Sequence, residues 1–461
     1  MNNSNQYRIE NDPLGTIMVP SSAYYGAQTG LAVDNFNISG ITLPREFIKA
    51  QGIIKASAAV TNMELGPLPI EIGKAILTAS EEVIEGKWDT HFVVDIYQAG
   101  AGTSQNMNAN EIIANRASEI LTGTIDNKKG YPNDHVNMSQ STNDTFHAAI
   151  HIAAAEKLHN GLLPALLLLE QALHEKAEQF TTVLKAGRTH LHDAVPMRLG
   201  QEFSGFAGTI KGTRQQIMES LNHLYEIGLG GNAIGTKLDL KPGYIPKIIS
   251  EVYIRTNLPF REAENMFTFM QNTNAPIRTM LALKELSIHL IKITSDLRLL
   301  SSGPRTGLAE IILPSVQPGS TIMPGKVNPE ILEMTHMVSC QVIGYEAALA
   351  TAGISSQLEI NVMMPMIAYT LLHSIELLTN AVSTLVNKCI SGIQADVEKC
   401  KSWMEASLSL VTGLSSIMGY DLAFQIGKQA DDENKTIKQV LLEKGLWTEE
   451  VEKAIDPKRM I

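Results

Sequence analysis

Aromatic residues are scarce in this chain. They make up only 5% of its 461 residues, whereas hydrophobic residues as a whole make up 44%. Leu, Ile, Ala and Met therefore supply most of the apolar mass, and these residues suit packed helices better than sheets. The length is sufficient for two or three domains. The composition predicts a mainly α protein.

Cysteines and long apolar runs are also few. Cys340, Cys389 and Cys400 are odd in number and widely spaced, which excludes a disulfide framework and a cysteine-based zinc site and is typical of a reducing compartment. The N-terminus lacks a charged segment followed by an apolar core, as a signal peptide would have. The longest apolar run, 162–169, is too short to cross a bilayer. We expect a cytoplasmic protein without membrane association.

No cluster of basic residues is present. The chain has 37 Lys and Arg against 48 Asp and Glu, a net charge of −11. Nucleic acids and anionic membranes attract strongly basic surfaces, so neither is expected as a partner. An anionic small molecule would have to be drawn in by a local basic site.

Helical periodicity divides the chain into three predicted domains. Residues 1–140 mix short helical patterns with Gly-rich turns, residues 141–395 carry long helical patterns, and residues 396–461 form a small helical domain. Several long helices carry apolar residues on more than one face, which predicts a central helix bundle that also packs against other subunits. The predicted long helices cover 145–180 with a kink at Pro164, a segment beginning near Leu283, 199–228, 329–351 and 365–388.

The segment 319–328, Gly-Ser-Thr-Ile-Met-Pro-Gly-Lys-Val-Asn, combines a hydroxyl, a cation and an amide between glycines. Glycine lets backbone N–H groups approach a small anion closely. The hydroxyl of Ser320 is a poor base by itself, but backbone donors and Lys326 could stabilise its oxyanion and leave a strong base in a dry site. The alternative interpretation is an ordinary Gly/Pro surface loop.

Three further segments carry polar residues at helix starts. They are 187–203 with Thr189 and His190, 139–144 with Ser141, Thr142 and Asn143, and 100–108 with Thr103 and Ser104. Free N–H groups at a helix start can bind a carboxylate. Each segment also has a simpler interpretation, because a lone His before a helix is more often structural and short polar residues serve as helix caps.

Together, and in chain order, these segments resemble the three conserved regions of the fumarase/aspartase superfamily. The loop at 319–328 differs from the family signature Gly-Ser-Ser-x-Met-Pro-x-Lys-x-Asn only in Thr321, and the resemblance extends from Tyr24 to the C-terminal helices. It implies a three-domain fumarase/aspartase-like fold with a central long-helix bundle. It also implies a homotetramer whose active sites combine regions from three subunits, with no metal or organic cofactor.

The resemblance further implies an elimination of an amine or water next to a carboxylate. Ser320 would be the base, and Lys326 and Asn328 would contact the substrate. Glu333 matches the carboxylate that pairs with the histidine of fumarases. With Ser320, the residues implied to be catalytic are His190, Glu333 and Lys326. The remaining positions implied to bind substrate are Thr103, Ser141, Thr142 and Thr321 at the carboxylate that becomes the aci-acid, Thr189 and His190 at the other end, Asn143 near the leaving group, and Ser104.

The substrate is the more difficult question. Ala101 to Ser104 and Ser141 to Asp144 resemble aspartases more than fumarases, which predicts deamination of L-aspartate to fumarate and ammonia. Leu31 and Lys237 replace residues that are usual in the family, Met364 stands where aspartases have Glu, and His147 stands where a Pro is usual. These departures favour altered substrate recognition. Fumarate hydration, an amine-lyase acting on another amino acid or on a betaine as ergothionase does, and a crystallin-like scaffold without activity are the alternatives.

Overall fold

A computed structural model describes residues 7–12, 15–125 and 130–461. Helices account for most of these residues, and the strands form short two-stranded ribbons, so the predicted mainly α class is confirmed. The helices are α1 (Ala27–Asn35), α2 (Arg45–Glu64), α3 (Ile70–Ile84), α4 (Thr103–Thr122), α5 (Thr142–Lys157), α6 (Leu163–Gln179), α7 (Leu199–Leu224), α8 (Tyr244–Thr256), α9 (Met266–Gln271), α10 (Asn274–Leu300), α11 (Glu330–Ile354), α12 (Met364–Lys388), α13 (Val397–Ala406), α14 (Ser415–Met418), α15 (Tyr420–Asp432), α16 (Ile437–Glu443) and α17 (Glu449–Ala454).

The strands pair locally. β5–β6 is parallel, and the other ribbons, β1–β2, β3–β4, β7–β10 and β8–β9, are antiparallel. The strands are β1 (Tyr7–Asp12), β2 (Gly15–Pro20), β3 (Leu184–Thr189), β4 (His192–Arg198), β5 (Glu226–Ile227), β6 (Arg261–Glu262), β7 (Ile311–Ile312), β8 (Ser356–Gln357), β9 (Ile360–Asn361) and β10 (Gln394–Ala395).

The chain divides into two compact units, each of which is discontinuous in sequence. The first unit comprises residues 1–164, 215–285 and 340–379, and the second comprises 165–214, 286–339 and 380–461. Each change of unit falls inside a helix, namely α6, α7, α10, α11 or α12. The contiguous domains 1–140, 141–395 and 396–461 stay a prediction.

The long helical patterns correspond to observed helices. The predicted helix at 145–180 is a helical run over 142–179 in which a π-helical turn, Leu158–Leu162, joins α5 to α6. Pro164 follows this turn directly, and its missing N–H and bulky ring prevent regular α-helical bonding to the preceding turn. On α10, Leu286, Leu290 and Leu297 are fully buried, as the periodicity predicts.

In the first unit, α2 is buried along most of its length and packs against α3, α5 and α8. Its neighbours α3 and α4 form an apolar cluster that includes Ile76, Val83, Ile112 and Ile113. This packing fixes the positions at which α4 and α5 begin, and both helix starts carry residues implied to bind substrate.

In the second unit, the antiparallel hairpin β3–β4 packs against α13 and against the 3₁₀ helix Leu408–Leu414. The last four helices, α14 to α17, enclose their own apolar core around Leu414, Ile426, Val440 and Leu441. The predicted helical character of the C-terminal segment is confirmed, and the hairpin provides the tip on which Thr189 and His190 lie.

Candidate active site

The loop 319–328 is closed by hydrogen bonds between its ends. The N–H of Gly319 donates to the carbonyl of Lys326 at 2.8 Å, and Nδ2 of Asn328 donates to the carbonyl of Gly319 at 2.6 Å. A Cβ at Gly319 would lie 2.7 Å from the backbone nitrogen of Asn328, so only glycine fits this closure. The segment is therefore a folded turn of defined geometry, although most of it is exposed.

Ser320 is the second residue of this loop and is half-buried. Its Oγ accepts hydrogen bonds from the backbone N–H groups of Ile322, at 3.2 Å, and Met323, at 3.0 Å. Two donors aimed at one hydroxyl oxygen stabilise negative charge on it, which lowers the free-energy cost of forming the alkoxide. The arrangement is what a serine without a neighbouring histidine needs in order to act as a base.

Thr189 and His190 lie at the exposed tip of the β3–β4 hairpin. Thr189 pairs with His192, so His190 and Leu191 form a two-residue turn, with φ of 57° and 61°. Both central residues of such a turn need positive φ, which asparagine and glycine usually supply. Leucine rarely adopts this conformation, and backbone strain of this kind accumulates at functional sites. The turn presents the imidazole of His190 outward.

A buried carboxylate holds the base of the same hairpin. Glu310 is completely buried, and it accepts a hydrogen bond from Arg188 at 2.9 Å and lies 3.1 Å from the Lys185 ammonium. Lys185 also pairs with Glu202 at 2.7 Å. A buried carboxylate without a cation would be costly, so the pairing with Glu310 fixes the position of Arg188, the residue before Thr189 on β3.

The start of α4 places Thr103 at its first position. Gly102 before it has φ of 87°, and a Cβ there would lie 2.2 Å from the ring of Phe146 on α5. Gly102 supplies no side-chain cap, but the side chain of Gln98 accepts a hydrogen bond at 2.8 Å from the N–H of Gln105, the third residue of the helix. The side chain of Thr103 is exposed, whereas Ser104 is only 8% exposed. Thr103 is therefore the better placed of the two to bind a substrate.

The start of α5 carries the other polar cluster. Ser141 and Asp144 form a capping box, so the simple capping interpretation holds for these two residues. Thr142 instead accepts a hydrogen bond through Oγ1 from Nδ2 of Asn106, at 3.0 Å, and Nδ2 of Asn143 donates to the carbonyl of Ala233 at 2.8 Å. These hydrogen bonds orient the side chains of Thr142 and Asn143, neither of which caps the helix.

Asp144 connects the start of α5 to a neighbouring loop by hydrogen bonds. It is fully buried, and its carboxylate accepts hydrogen bonds from the backbone of Ser141, Gly230 and Asn232. Burial raises the pKa of Asp144 to about 6, while these donors and the charge of Lys55 act in the opposite direction. The N-terminal turn of α5 is therefore held to the segment 230–232.

The implied site residues fall into two groups. Thr103, Ser104 and 141–143 belong to the first unit, where Asn106, one turn into α4, touches Thr142. The hairpin tip and the loop 319–328 belong to the second unit. Within the described part of one chain no hydrogen bond or ion pair joins His190 to Glu333, whose carboxylate lies 3.7 Å from Arg298 instead.

Two of the unusual positions have clear local roles. Lys237 has φ of 58° and forms a half-exposed ion pair with Glu262 at 2.7 Å. Met364 is fully buried at the start of α12. Both residues therefore have intramolecular contacts that account for them locally.

His147, which replaces a proline usual in the family, is buried on α5 beside His151 with ring centroids 5.0 Å apart. Both histidines line a cavity of ≈ 150 Å³ in the first unit. Nδ1 of His151 lies 2.7 Å from the carbonyl of Glu226, and its Nε2 has no hydrogen-bond partner among the described atoms. Burial lowers the pKa of His151 to about 4 and holds that of His147 well below its ordinary value. Both rings are neutral near pH 7.

The sequence interpretation missed two buried residues that hydrogen-bond to residues at or next to the candidate site, Asn106 to Thr142 and Glu310 to Arg188. Asn106 and Glu310 are buried polar residues. Asn106 lies in the segment 100–108 but is not among the positions implied to bind substrate, and Glu310 lies outside all four segments. The available signal was weak: Asn106 and Asn110 are one helical turn apart in a polar stretch of α4, and Glu310 stands alone before an apolar pair. Only long-range contacts identify their roles.

Comparisons with known proteins agree with this geometry. A family profile described as lyase matches residues 15–344, and one described as the fumarase C C-terminus matches residues 410–461. Mitochondrial fumarate hydratase of Danio rerio is 44% identical over 453 residues, covering 98% of this chain and 89% of the relative. Aspartate ammonia-lyase of a Bacillus species is 44% identical over 444 residues, covering 96% and 95%.

Solved structures confirm the predicted fumarase/aspartase-like fold. A class II fumarase from Schistosoma mansoni has a TM-score of 0.95 at 36% identity, with 98% of this chain and 99% of that chain covered. A fumarate lyase:delta crystallin from Brucella melitensis, in a structure bound to cobalt, has a TM-score of 0.94 at 42% identity, with the same coverage. The chain is a lyase that belongs to the fumarase/aspartase superfamily.

Proposed function

We propose that this lyase catalyses the reversible addition of water to fumarate, with malate as the other reactant. The observation that carries the proposal is the environment of Ser320, whose Oγ accepts two backbone N–H bonds in a closed loop. The similarity to fumarate hydratases over nearly the whole chain supports the choice of substrate.

In the direction of dehydration, the alkoxide of Ser320 removes a proton from the carbon next to one carboxylate. The electron pair moves onto that carboxylate and gives an aci-carboxylate with two negative charges. It then returns to form the double bond, while the hydroxyl on the neighbouring carbon takes up a proton from solvent and leaves as water. Ser320 afterwards returns the proton that it removed to solvent. The proton removed is weakly acidic, so most of the rate must come from stabilisation of the dianion.

The family resemblance assigns the other roles. Lys326 and Asn328 would contact the substrate, and the hydroxyls of Thr103, Ser141, Thr142 and Thr321 would bind the carboxylate that becomes the aci-acid. Thr189 and His190 would contact the other end, with Glu333 supporting the histidine. Substitution of Ser320 by Ala should abolish turnover, and substitution of Lys326 by Ala should raise KM and lower kcat, because each removes one of these groups.

Aspartate deamination is the second candidate. It was the leading interpretation of the sequence, but the comparisons support the hydratase alternative better. The specific observation in its favour is the pair of aspartase-like stretches, Ala101 to Ser104 and Ser141 to Asp144. Threonine and serine differ by one methyl group at position 142, and small differences in contact shift substrate preference.

We further propose that the active enzyme is a homotetramer. α11 is long and apolar, yet only 28% of its most apolar 18-residue window is buried in one chain. α11 and the run 142–179 are long and apolar enough to cross a membrane, a test that the core helices of soluble proteins also pass. A helix of this kind gains stability from packing against other subunits. The lack of a hydrogen bond or ion pair between His190 and Glu333 in the described part of one chain is consistent with a shared site, in which Glu333 would support the histidine of another subunit.

A substrate panel tests the function. Purified protein is incubated with malate, with aspartate and with other amino and betaine acids, while fumarate absorbance and amine release are followed. The proposal expects malate to be the fastest substrate. Faster turnover of aspartate would establish the second candidate, and amine release only from another acid would keep the base chemistry and replace the substrate.

Subunit exchange tests the shared site. Ser320→Ala and His190→Ala are each expected to be inactive, and mixing them should restore part of the activity, because some sites then combine intact regions from different chains. Full activity in a species of monomer size would contradict the tetramer.

A further inference from the structure

A buried lysine lies beneath the polar start of α5. Lys55, on α2, is 1% exposed and makes no ion pair in the described part of the chain. Its ammonium donates hydrogen bonds to Oδ1 of Asn137 and to Oε1 of Gln140, both at 3.0 Å. Burial lowers the pKa of Lys55 to about 7, and the negative charge of Asp144 opposes this change. Such a costly group calls for a specific role.

The lysine fixes which way its amide neighbours point. An ammonium only donates hydrogen bonds, so Asn137 and Gln140 must turn their oxygens toward it. Their NH₂ groups then donate to backbone carbonyls. Nδ2 of Asn137 donates to the carbonyl of Gln140, and Nε2 of Gln140 donates to the carbonyls of Val136 and Met138. The amide orientations are thus set by the cation.

This orientation continues to Thr142. Oδ1 of Asn137 also accepts hydrogen bonds from Nδ2 of Asn106 and from Nδ2 of Asn110, both at 3.2 Å. Nδ2 of Asn106 donates in turn to Oγ1 of Thr142 at 3.0 Å. Because the hydroxyl oxygen of Thr142 receives this donor, its own proton must point elsewhere and is free to donate to a ligand.

We propose that Lys55 is a positioning residue: through Asn137 and Asn106 it holds the hydroxyl of Thr142 as a hydrogen-bond donor to the substrate carboxylate. The inference rests on the proposed function, which makes Thr142 a carboxylate ligand. It adds a second cation to the site's machinery, distinct from Lys326, that acts without contacting the substrate. Fumarate is shared by the hydratase and aspartase reactions, so its binding tests the relay for either substrate.

The experiment is a double-mutant cycle with the full-length protein. The variants are Lys55→Met, Thr142→Val and their combination, and the measurements are the Kd for fumarate by calorimetry together with kcat and KM for fumarate hydration. Each single variant should weaken fumarate binding about 10-fold, the effect of losing a hydrogen bond to a charged group. The double variant should be no weaker than Thr142→Val alone.

Two further variants separate positioning from general effects. Lys49→Met removes a half-exposed cation from the same helix, where it pairs with Glu156, and should leave the Kd unchanged. Asn106→Leu interrupts the relay without removing a buried charge, so it replaces Lys55→Met if that variant does not fold. Asn106→Leu should likewise weaken binding and be non-additive with Thr142→Val.

Additive losses in either cycle would overturn the relay, since they would show that Lys55 or Asn106 acts independently of Thr142. Native-like binding by folded Lys55→Met would overturn it as well. Wild-type protein that neither binds nor converts fumarate would remove the proposed function and this inference together, before any variant is compared.

Discussion

Acid should destabilise this protein through His151, and the effect can be estimated. The pKa of the buried ring is about 4, against 6.5 for an ordinary histidine. Between these pH values the unfolded chain binds a proton that the folded chain does not, so stability falls as pH decreases. The whole difference corresponds to about 3 kcal/mol, of which about 2 kcal/mol is lost by pH 5.

Replacement of His151 by Phe tests this estimate. Phenylalanine keeps a ring of similar shape but cannot titrate, and it gives up the hydrogen bond to Glu226 at a cost of about 1–2 kcal/mol at pH 7.5. Urea unfolding at one fixed protein concentration, repeated from pH 7.5 to 5, compares wild type, His151→Phe and His174→Gln. His174 is a suitable control because its side chain is 67% exposed.

Wild type and His174→Gln should lose stability in parallel as pH falls, whereas His151→Phe should lose about 2 kcal/mol less by pH 5. His147 titrates in all three proteins, and the charge of His151 is one cause of its lowered pKa. In His151→Phe this contribution is lost, so the pKa of His147 moves toward its ordinary value and the acid loss of stability becomes smaller still. Equal slopes for wild type and His151→Phe would refute the reasoning and would mean that water or a ligand already solvates the ring.

Two other substitutions address the supports of the site. Gly102→Ala should lower the free energy of unfolding in urea by about 2–4 kcal/mol, because alanine at φ of 87° is strained and its Cβ meets Phe146. It should also lower kcat/KM, and unchanged activity would argue that Thr103 does not bind substrate. Glu310→Gln should lower the free energy of unfolding by about 3–5 kcal/mol, because Arg188 and Lys185 lose a buried counter-charge. The surface control Glu433→Gln should change it by no more than about 0.5 kcal/mol. Equal effects of the two variants would contradict the role of Glu310.

The long helices were predictable because their apolar repeat is a local property. The buried leucines of α10 follow directly from their spacing in the sequence. The helical run over 142–179 follows from the same kind of spacing, and its interruption follows from Pro164. The two discontinuous units were not predictable, because each forms from three segments separated by 40 to 71 residues of the other unit, and no composition change marks the junctions inside helices.

The candidate site shows the same division. Gly319, Ser320 and Asn328 could be read as one loop because they are close in sequence and chemically distinctive. The hydrogen bonds that the Oγ of Ser320 accepts follow from a local turn, yet their donors are ordinary backbone groups that no residue type reveals. Lys55 and Glu310 act over 85 and 122 residues of separation, and their charges looked like exceptions within apolar surroundings.

The long-range support of the His190 hairpin has a consequence for biosynthesis. While the chain emerges from the ribosome, β3 and β4 are complete more than a hundred residues before Glu310 is made. Until then Lys185 keeps Glu202 as a partner, but Arg188 lacks its carboxylate. A nascent or truncated chain that ends before residue 310 therefore lacks the buried carboxylate that pairs with Lys185 and Arg188, the strand residue next to Thr189.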